Sequence, residues 1–188
     1  MKCIIISGKA GSGKDMTAHF MREKLEAEGQ KVITIHYGDA VKWVIKDYFN
    51  WSGQKDEEGR RLLQTIGTDV VRKSYPDFWT NVVTQLLKSF ENANLFDVAL
   101  VPDARFENEV DIVVNTLPNS ICVRIERTNE DGTPWINPNL TEEQRKHPSE
   151  ISLDNYIFDY VIHNDAGLDT LKESAITLLQ DYGLVEGE

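Results

Sequence analysis

The segment Gly8-Lys9-Ala10-Gly11-Ser12-Gly13-Lys14-Asp15 carries the densest chemistry in the sequence. Its pattern, G-x-x-x-x-G-K, suits a polyphosphate. Glycines let a backbone wrap closely around a phosphate and adopt conformations closed to other residues. The bared N–H groups and the N-terminus of a following helix supply positive potential. A lysine in this place reaches the β- and γ-oxygens and follows their charge as it shifts in a transition state. The pattern requires a strand before it and a helix after it. Cys3–Ile6 reads as that strand and the stretch from Gly13 to Glu28 as that helix. Asp15 stands where a hydroxyl residue is usual. Its carboxylate is either an oxygen ligand for Mg²⁺, direct or through water, or a favourable negative charge in the first helical turn.

Other polar residues gather where further strands should end. Asp103 and Arg105 follow the apolar run Val98–Val101. Asp103 would either orient magnesium-bound water or cap the helix that follows; Arg105 would face a phosphate. Arg124 and Glu126 are odd residues for a strand covered on both faces, and pairing at a sheet edge would account for them. Arg127 and Arg145 suit guanidinium clamps on a phosphoryl group, with solvated surface as the alternative. Arg61, Gln64, Thr68 and Arg72 are spaced 3, 4 and 4 apart, so they share one helical stripe. Such a stripe is either a solvated face or the wall of a second phosphate site. Trp79 and Trp135 are candidates for stacking on a base, although Trp79 also falls on an apolar helical stripe. Asp39, Lys42 and Glu150 complete the set expected around an acceptor. His19, His36, His147 and His163 have no metal-ligand spacing, and His147-Pro148-Ser149-Glu150 lacks the partners of a hydrolytic nucleophile.

These residues need a scaffold, and the apolar periodicity describes one. Lys31–His36 reads as a second strand, Val98–Val101 as a third, Ile121–Glu126 as a fourth and Tyr160–Ile162 as a fifth. Between them lie helical patterns. Asp39 is placed as an N-cap ahead of Val41, Val44, Ile45, Tyr48 and Phe49. Ser52–Glu58 is a polar break. Leu62, Leu63, Ile66 and Val70 mark one helix. Trp79, Val82, Val83, Leu86, Leu87 and Phe90 mark the next, which starts at Tyr75-Pro76-Asp77. A short acidic helix runs from about Phe106 to Val114. Thr128 to Asn155 is irregular, with at most a short helix after Thr141. Asn164-Asp165 caps a last helix. Strands alternating with helices predict an α/β fold, a parallel sheet covered on both faces, with the site beyond the carboxyl ends of its strands.

Composition narrows the classes. The chain has 188 residues, enough for one domain, and a formal net charge of −11. So acidic a protein is a poor partner for a nucleic acid polymer, and any phosphate must be held by local cations. Cys3 and Cys122 sit in apolar runs and read as free structural thiols. No secretion signal is expected, because the apolar run after Met1 stops at Ser7-Gly8. No apolar stretch approaches the length of a membrane span. The expected setting is the cytoplasm, the host's if the protein is viral.

Together these stretches resemble the deoxynucleoside monophosphate kinases of tailed phages, within the nucleoside monophosphate kinase superfamily. The matching pieces are GKAGSGKD at 8–15, LLQTIGTDVVR at 62–72 with DFW at 77–79, PDARFENE at 102–109, VRIER at 123–127, HPSE at 147–150 and FDYVIHNDAGLDTL at 158–171. The resemblance implies a three-layer P-loop NTPase fold with a five-stranded parallel sheet. Its core would be 1–37, 97–127 and 156–188, with a monophosphate-binding segment at 38–96 and a lid at 128–155. It implies ATP and Mg²⁺, a deoxynucleoside monophosphate as acceptor, and a monomer or homodimer. Lys14 and Arg127 would stabilise the transferred phosphoryl group, Arg72 and Arg105 would hold the acceptor phosphate, and the turn from Asn164 to Gly167 would contact adenine. The Asp15 form of the loop is also similar to that of phosphomevalonate kinases. That acceptor, dephospho-coenzyme A, and a non-catalytic nucleotide switch are the alternatives.

Overall fold

The computed structural model describes residues 1–54 and 56–187; Lys55, inside the polar stretch Ser52–Glu58, lies outside them. Five strands form one sheet: β1 (Lys2–Gly8), β2 (Val32–Thr34), β3 (Val98–Ala104), β4 (Ser120–Arg127) and β5 (Tyr160–Asn164). They lie in the order β2-β3-β1-β4-β5, and every pairing is parallel. Ile4 of β1 is flanked by Leu100 and Ile121. The β1–β3 register slips between Ile5 and Ser7, just where the chain turns into the glycine-rich segment.

The sheet separates two cores, and strand alternation decides which side chain enters which. Ile4 and Ile6 face α1 (Lys14–Ala27) and α8 (Leu168–Asp181), packing with Met21, Leu25, Leu171 and Leu178. Cys3 and Ile5 face the opposite layer, with Val83 and Leu87 of α4 (Phe78–Asn92) and Val110 and Val113 of α5 (Glu107–Thr116). This three-layer arrangement is the one the sequence predicts. The two cysteines are buried and free.

A smaller core lies between β2 and β3 in the chain. Val41 and Ile45 of α2 (Tyr37–Phe49) and Trp79 of α4 enclose it with Leu62, Leu63 and Ile66. There α3 (Glu57–Gln64) runs straight into a π-helical stretch, Thr65–Arg72. The wider π turn leaves carbonyls for outside partners, and the buried Trp79 indole donates to the carbonyl of Gly67 at 3.0 Å. The segment 128–155 holds α6 (Glu142–Arg145) and a second single-turn helix, α7 (Pro148–Ile151).

Several expectations are corrected. Asp39 is not an N-cap: α2 begins at Tyr37, so Asp39 lies in its first turn. Tyr48, Phe49, Val70 and Leu86, expected on apolar faces, are exposed and lie outside the three apolar clusters formed by the described residues. Arg124 is not at a sheet edge, since β4 lies between β1 and β5. Asn164 ends β5 rather than capping α8, whose N-cap is Gly167. Asp103 belongs to β3, not to a loop after it.

Candidate functional site

At the carboxyl ends of β1, β3 and β4, side chains from the glycine-rich loop, β3 and the surrounding helices converge. Gly11 and Gly13 hold left-handed φ values of 83° and 107°, which turn the loop back over itself and feed it into α1. Lys14, at the first position of α1, is buried and donates to the Lys9 carbonyl at 2.9 Å. Burial is the main force lowering its ammonium to about 7, and the neighbouring Arg105 pushes the same way. The Ser12 hydroxyl is also buried and finds no hydrogen-bond partner among the described residues. Both are features of a loop built to receive an anion.

A cleft of about 640 Å³ leads from this loop to α3 and the π-helical stretch. Lys14 and Asp15 are at one end; Arg60, Gln64, Thr68 and Arg72 line the far wall. Lys42, Trp79, Asp103, Arg105 and Glu150 also reach it, so these expected residues are brought together. Asp39 and Arg61 are not part of its lining among the described residues. Asp39 instead pairs with Lys42 at 2.8 Å and His36 at 3.2 Å. Arg61 points outward because the switch to π geometry changes the phase of the stripe, and Arg60 takes the inward place.

Asp103 does cap a helix, but not the one that follows it. Its two oxygens accept from the backbone N–H groups of Tyr37 and Gly38, each at 2.9 Å, so it caps α2. Asp15 is solvent-facing, with its carboxylate 3.5 Å from His36. The carboxylate at Asp15 is the first cause raising the His36 imidazole, against burial. Arg72 is held at 2.5 Å by Glu109 and stacks 4.0 Å from the centre of the Phe106 ring. Glu109 is buried and also accepts from the N–H groups of Arg105 at 2.6 Å and Phe106 at 3.1 Å. Burial pushes its carboxyl up to about 7, while Arg72 and these N–H groups pull it down.

A second cavity of about 380 Å³ lies on the β4 side of the loop. It, and not the first cleft, receives Trp135 and Arg145, together with Lys9, Arg124 and Arg127. Arg127 donates to the Gly11 carbonyl at 3.0 Å and lies 4.1 Å from the Trp135 ring centre. Arg124 is buried, 3.2 Å from the Ser7 hydroxyl and 3.0 Å from Asp154. Asp154 also pairs with Lys9 at 2.8 Å. Asn164 donates to the Ser12 carbonyl at 2.8 Å, but among the described residues neither it nor Gly167 lines either cavity.

Three contributors had little or no assigned role in the sequence. Glu109 stands in the PDARFENE stretch, four residues after Arg105, where a helical carboxylate returning to the backbone is a readable signal. Asp154 and Asn137 have none, because their partners, Arg124, Lys9 and the Ala10 carbonyl, are distant in the chain. Among the described residues no group of three or more His, Cys, Asp or Glu is placed to hold a metal. None of the described helices is long and apolar enough to cross a membrane.

A family model described as deoxynucleotide monophosphate kinase matches residues 27–175, more than half of the chain. No curated protein matches in sequence. Solved structures share the fold. An unliganded sugar kinase from Janibacter sp. HTCC2649 aligns with a TM-score of 0.56 at 14% identity, over 100% of this chain and 99% of that one. Dephospho-CoA kinase from Campylobacter jejuni gives 0.53 at 13%, over 96% and 97%. A gluconokinase from Sinorhizobium meliloti 1021 gives 0.51 at 16%, over 96% and 92%. At such identities these likenesses speak for the P-loop kinase fold alone.

Proposed function

We propose how this chain, which belongs to the deoxynucleotide monophosphate kinase family, divides the work of phosphorylating a deoxynucleoside monophosphate among its residues. The observation that carries the proposal is the single cleft that joins the glycine-rich loop to a wall bearing Arg60, Arg72 and Arg105. Two phosphorylated molecules can meet there end to end, and a non-catalytic nucleotide switch has no use for the second set of arginines.

In this reading ATP lays its β- and γ-phosphates along the amides of Gly8 to Asp15, with Lys14 beside them. The Ser12 hydroxyl gains the acceptor it lacks among the described residues. The acceptor phosphate sits between Arg72 and Arg105, and one of its oxygens attacks the γ-phosphorus in line. The bond from that phosphorus to the bridging β-oxygen breaks, and ADP leaves. Lys14 and Arg127 neutralise the charge that spreads over the transferred group. Little covalent chemistry falls to the protein, which positions the reactants and excludes water.

The nucleoside of the acceptor lies against Gln64, Thr68, Trp79, Lys42 and Arg60. Trp135 and Arg145 serve the ATP side, since they share a cavity with Arg127 and not with the acceptor wall. The turn from Asn164 to Gly167 contacts adenine, and the residues 38–96 and 128–155 are the monophosphate-binding segment and the lid around the remaining core.

Mg²⁺ fits the donor set in one way. Mg²⁺ keeps several waters and takes only one or two carboxylates beside substrate phosphates. Asp15 is exposed next to the loop, and each Asp103 oxygen accepts only one N–H and retains a lone pair. These two carboxylates would hold the ion, partly through water, and it would supply charge neutralisation to the nucleotide's phosphates. The setting is a soluble one with small-molecule substrates, in keeping with a cytoplasmic nucleotide enzyme.

The test is ADP release measured across a panel of deoxynucleoside monophosphates, dephospho-coenzyme A and phosphomevalonate. ADP production stimulated by a deoxynucleotide is expected. Stimulation by either of the other acceptors alone would overturn the acceptor assignment, and ATP binding with no stimulated turnover would favour the switch.

A further inference from the structure

Glu150 occupies an unusual place for a carboxylate. It stands on α7, and one of its oxygens accepts the backbone N–H of Ala10, inside the glycine-rich loop, at 2.9 Å. Its other oxygen accepts from Arg105, which also donates to the Ser149 carbonyl at 3.2 Å. The side chain is only 10% exposed, and it lines both cavities. One carboxylate thus bridges a donor of the loop and an arginine of the acceptor cleft. The chain around it is fastened to the same loop: Asn137 donates to the Ala10 carbonyl at 3.1 Å, and Asp154 pairs with Lys9.

The chemistry of that bridge is competitive. A carboxylate that accepts a loop amide and a guanidinium makes the hydrogen bonds a phosphoryl oxygen would make there. A triphosphate seated on the loop brings several negative charges beside the largely buried Glu150 carboxylate, and like charges so close repel. Once Glu150 withdraws, Arg105 has lost its anionic partner and faces the cleft uncompensated. A phosphate arriving from the acceptor side then meets a free guanidinium.

We infer that Glu150 couples the two substrate sites: a nucleoside triphosphate on the loop displaces its carboxylate, and this frees Arg105 to bind the phosphate of the acceptor. The inference rests on the kinase reading above and adds its regulation. Its consequence is positive cooperativity between unlike substrates, and by linkage each must tighten the other equally.

The experiment is equilibrium binding of the four deoxynucleoside monophosphates by calorimetry, with and without saturating magnesium and a non-hydrolysable ATP analogue. For the wild-type chain the analogue is expected to tighten the best-bound monophosphate by roughly tenfold, within the usual span of coupling between sites. Glu150→Gln, which keeps the shape but loses the charge, is expected to bind the monophosphate more tightly without the analogue and to show coupling near unity. Monophosphate binding that is indifferent to the analogue in the wild type overturns the coupling, whatever the variant does. Full coupling retained in Glu150→Gln overturns the role of this residue. If no deoxynucleotide binds under any condition, the acceptor assignment itself falls and the coupling falls with it.

Discussion

The Arg72 guanidinium meets the Glu109 carboxylate at 2.5 Å, and this pair joins the π-helical stretch to α5 at the wall of the cleft. Glu109 is buried, and among the described residues its carboxylate is met by Arg72 and two backbone N–H groups. Arg72 therefore has one orientation, with its plane on Phe106. Glu109→Gln should loosen that orientation. The KM for the deoxynucleotide is expected to rise about tenfold, equivalent to about 1.4 kcal/mol, while the KM for ATP stays within about twofold. Steady-state kinetics with each substrate varied in turn checks this. An equal rise in both constants would mean general damage instead of a misplaced arginine.

Asp103 ties the end of β3 to the N-terminus of α2 through two backbone N–H groups. Asparagine offers one acceptor oxygen and no charge, so Asp103→Asn loses half the cap and its favourable interaction with the helix dipole. The loss should be about 1 kcal/mol, or a fall of about 2–4 °C in melting temperature for a chain of this size. If the same carboxylate also steadies Mg²⁺, the magnesium concentration for half-maximal turnover should rise as well. Thermal melts and a magnesium titration of turnover separate the two effects.

Gly11 and Gly132 share a left-handed backbone, with φ of 83° and 81°, but not a neighbourhood. A Cβ on Gly11 would lie 2.7 Å from the Trp135 ring, whereas one on Gly132 meets nothing within 4 Å. Gly132→Ala should cost only backbone strain, about 1–2 kcal/mol, with turnover intact. Gly11→Ala adds a clash that pushes Trp135 off the loop and breaks its stack with Arg127. Its KM for ATP should rise at least about tenfold, the scale of a lost partly buried cation–π contact plus strain. Tryptophan fluorescence and ATP kinetics on the two variants check the contrast.

How much of this was legible depends on how local each cause is. The loop and its flanking strand and helix were readable, since an all-apolar run, three glycines and a lysine are consecutive in the chain. The sheet followed from runs such as Val98–Val101, which suit strands covered on both faces. Asp39 stands where a local N-cap would, but the cap of α2 comes from Asp103 on another strand, which the local sequence does not show. A 3.6-residue period places Arg61 on the stripe, but the stretch widens to π geometry at Thr65, and Arg60 faces the cleft instead. Trp135, expected to stack on a base, lies against Arg127 and Gly11, and nothing in its neighbours' types reveals that contact.

Lys14 gives the sharpest pH prediction. Burial, reinforced by Arg105, lowers its ammonium to about 7 from the usual 10.5. Without nucleotide the cation is present below that point and is lost as pH rises through it. A bound triphosphate reverses the balance, because its negative charge favours the ammonium and raises its pKa again. The value of kcat/KM for ATP reports the free protein and should therefore fall above about pH 7, by up to about tenfold per pH unit, while kcat, which reports the complex, stays nearly level. Lys14→Ala should remove this limb altogether and lower turnover by at least about a hundredfold, as losing a charge-stabilising donor does. Pseudo-first-order kinetics between about pH 6 and 9 provide the check. A kcat/KM that climbs across this interval in the wild type would contradict a buried cation at the loop.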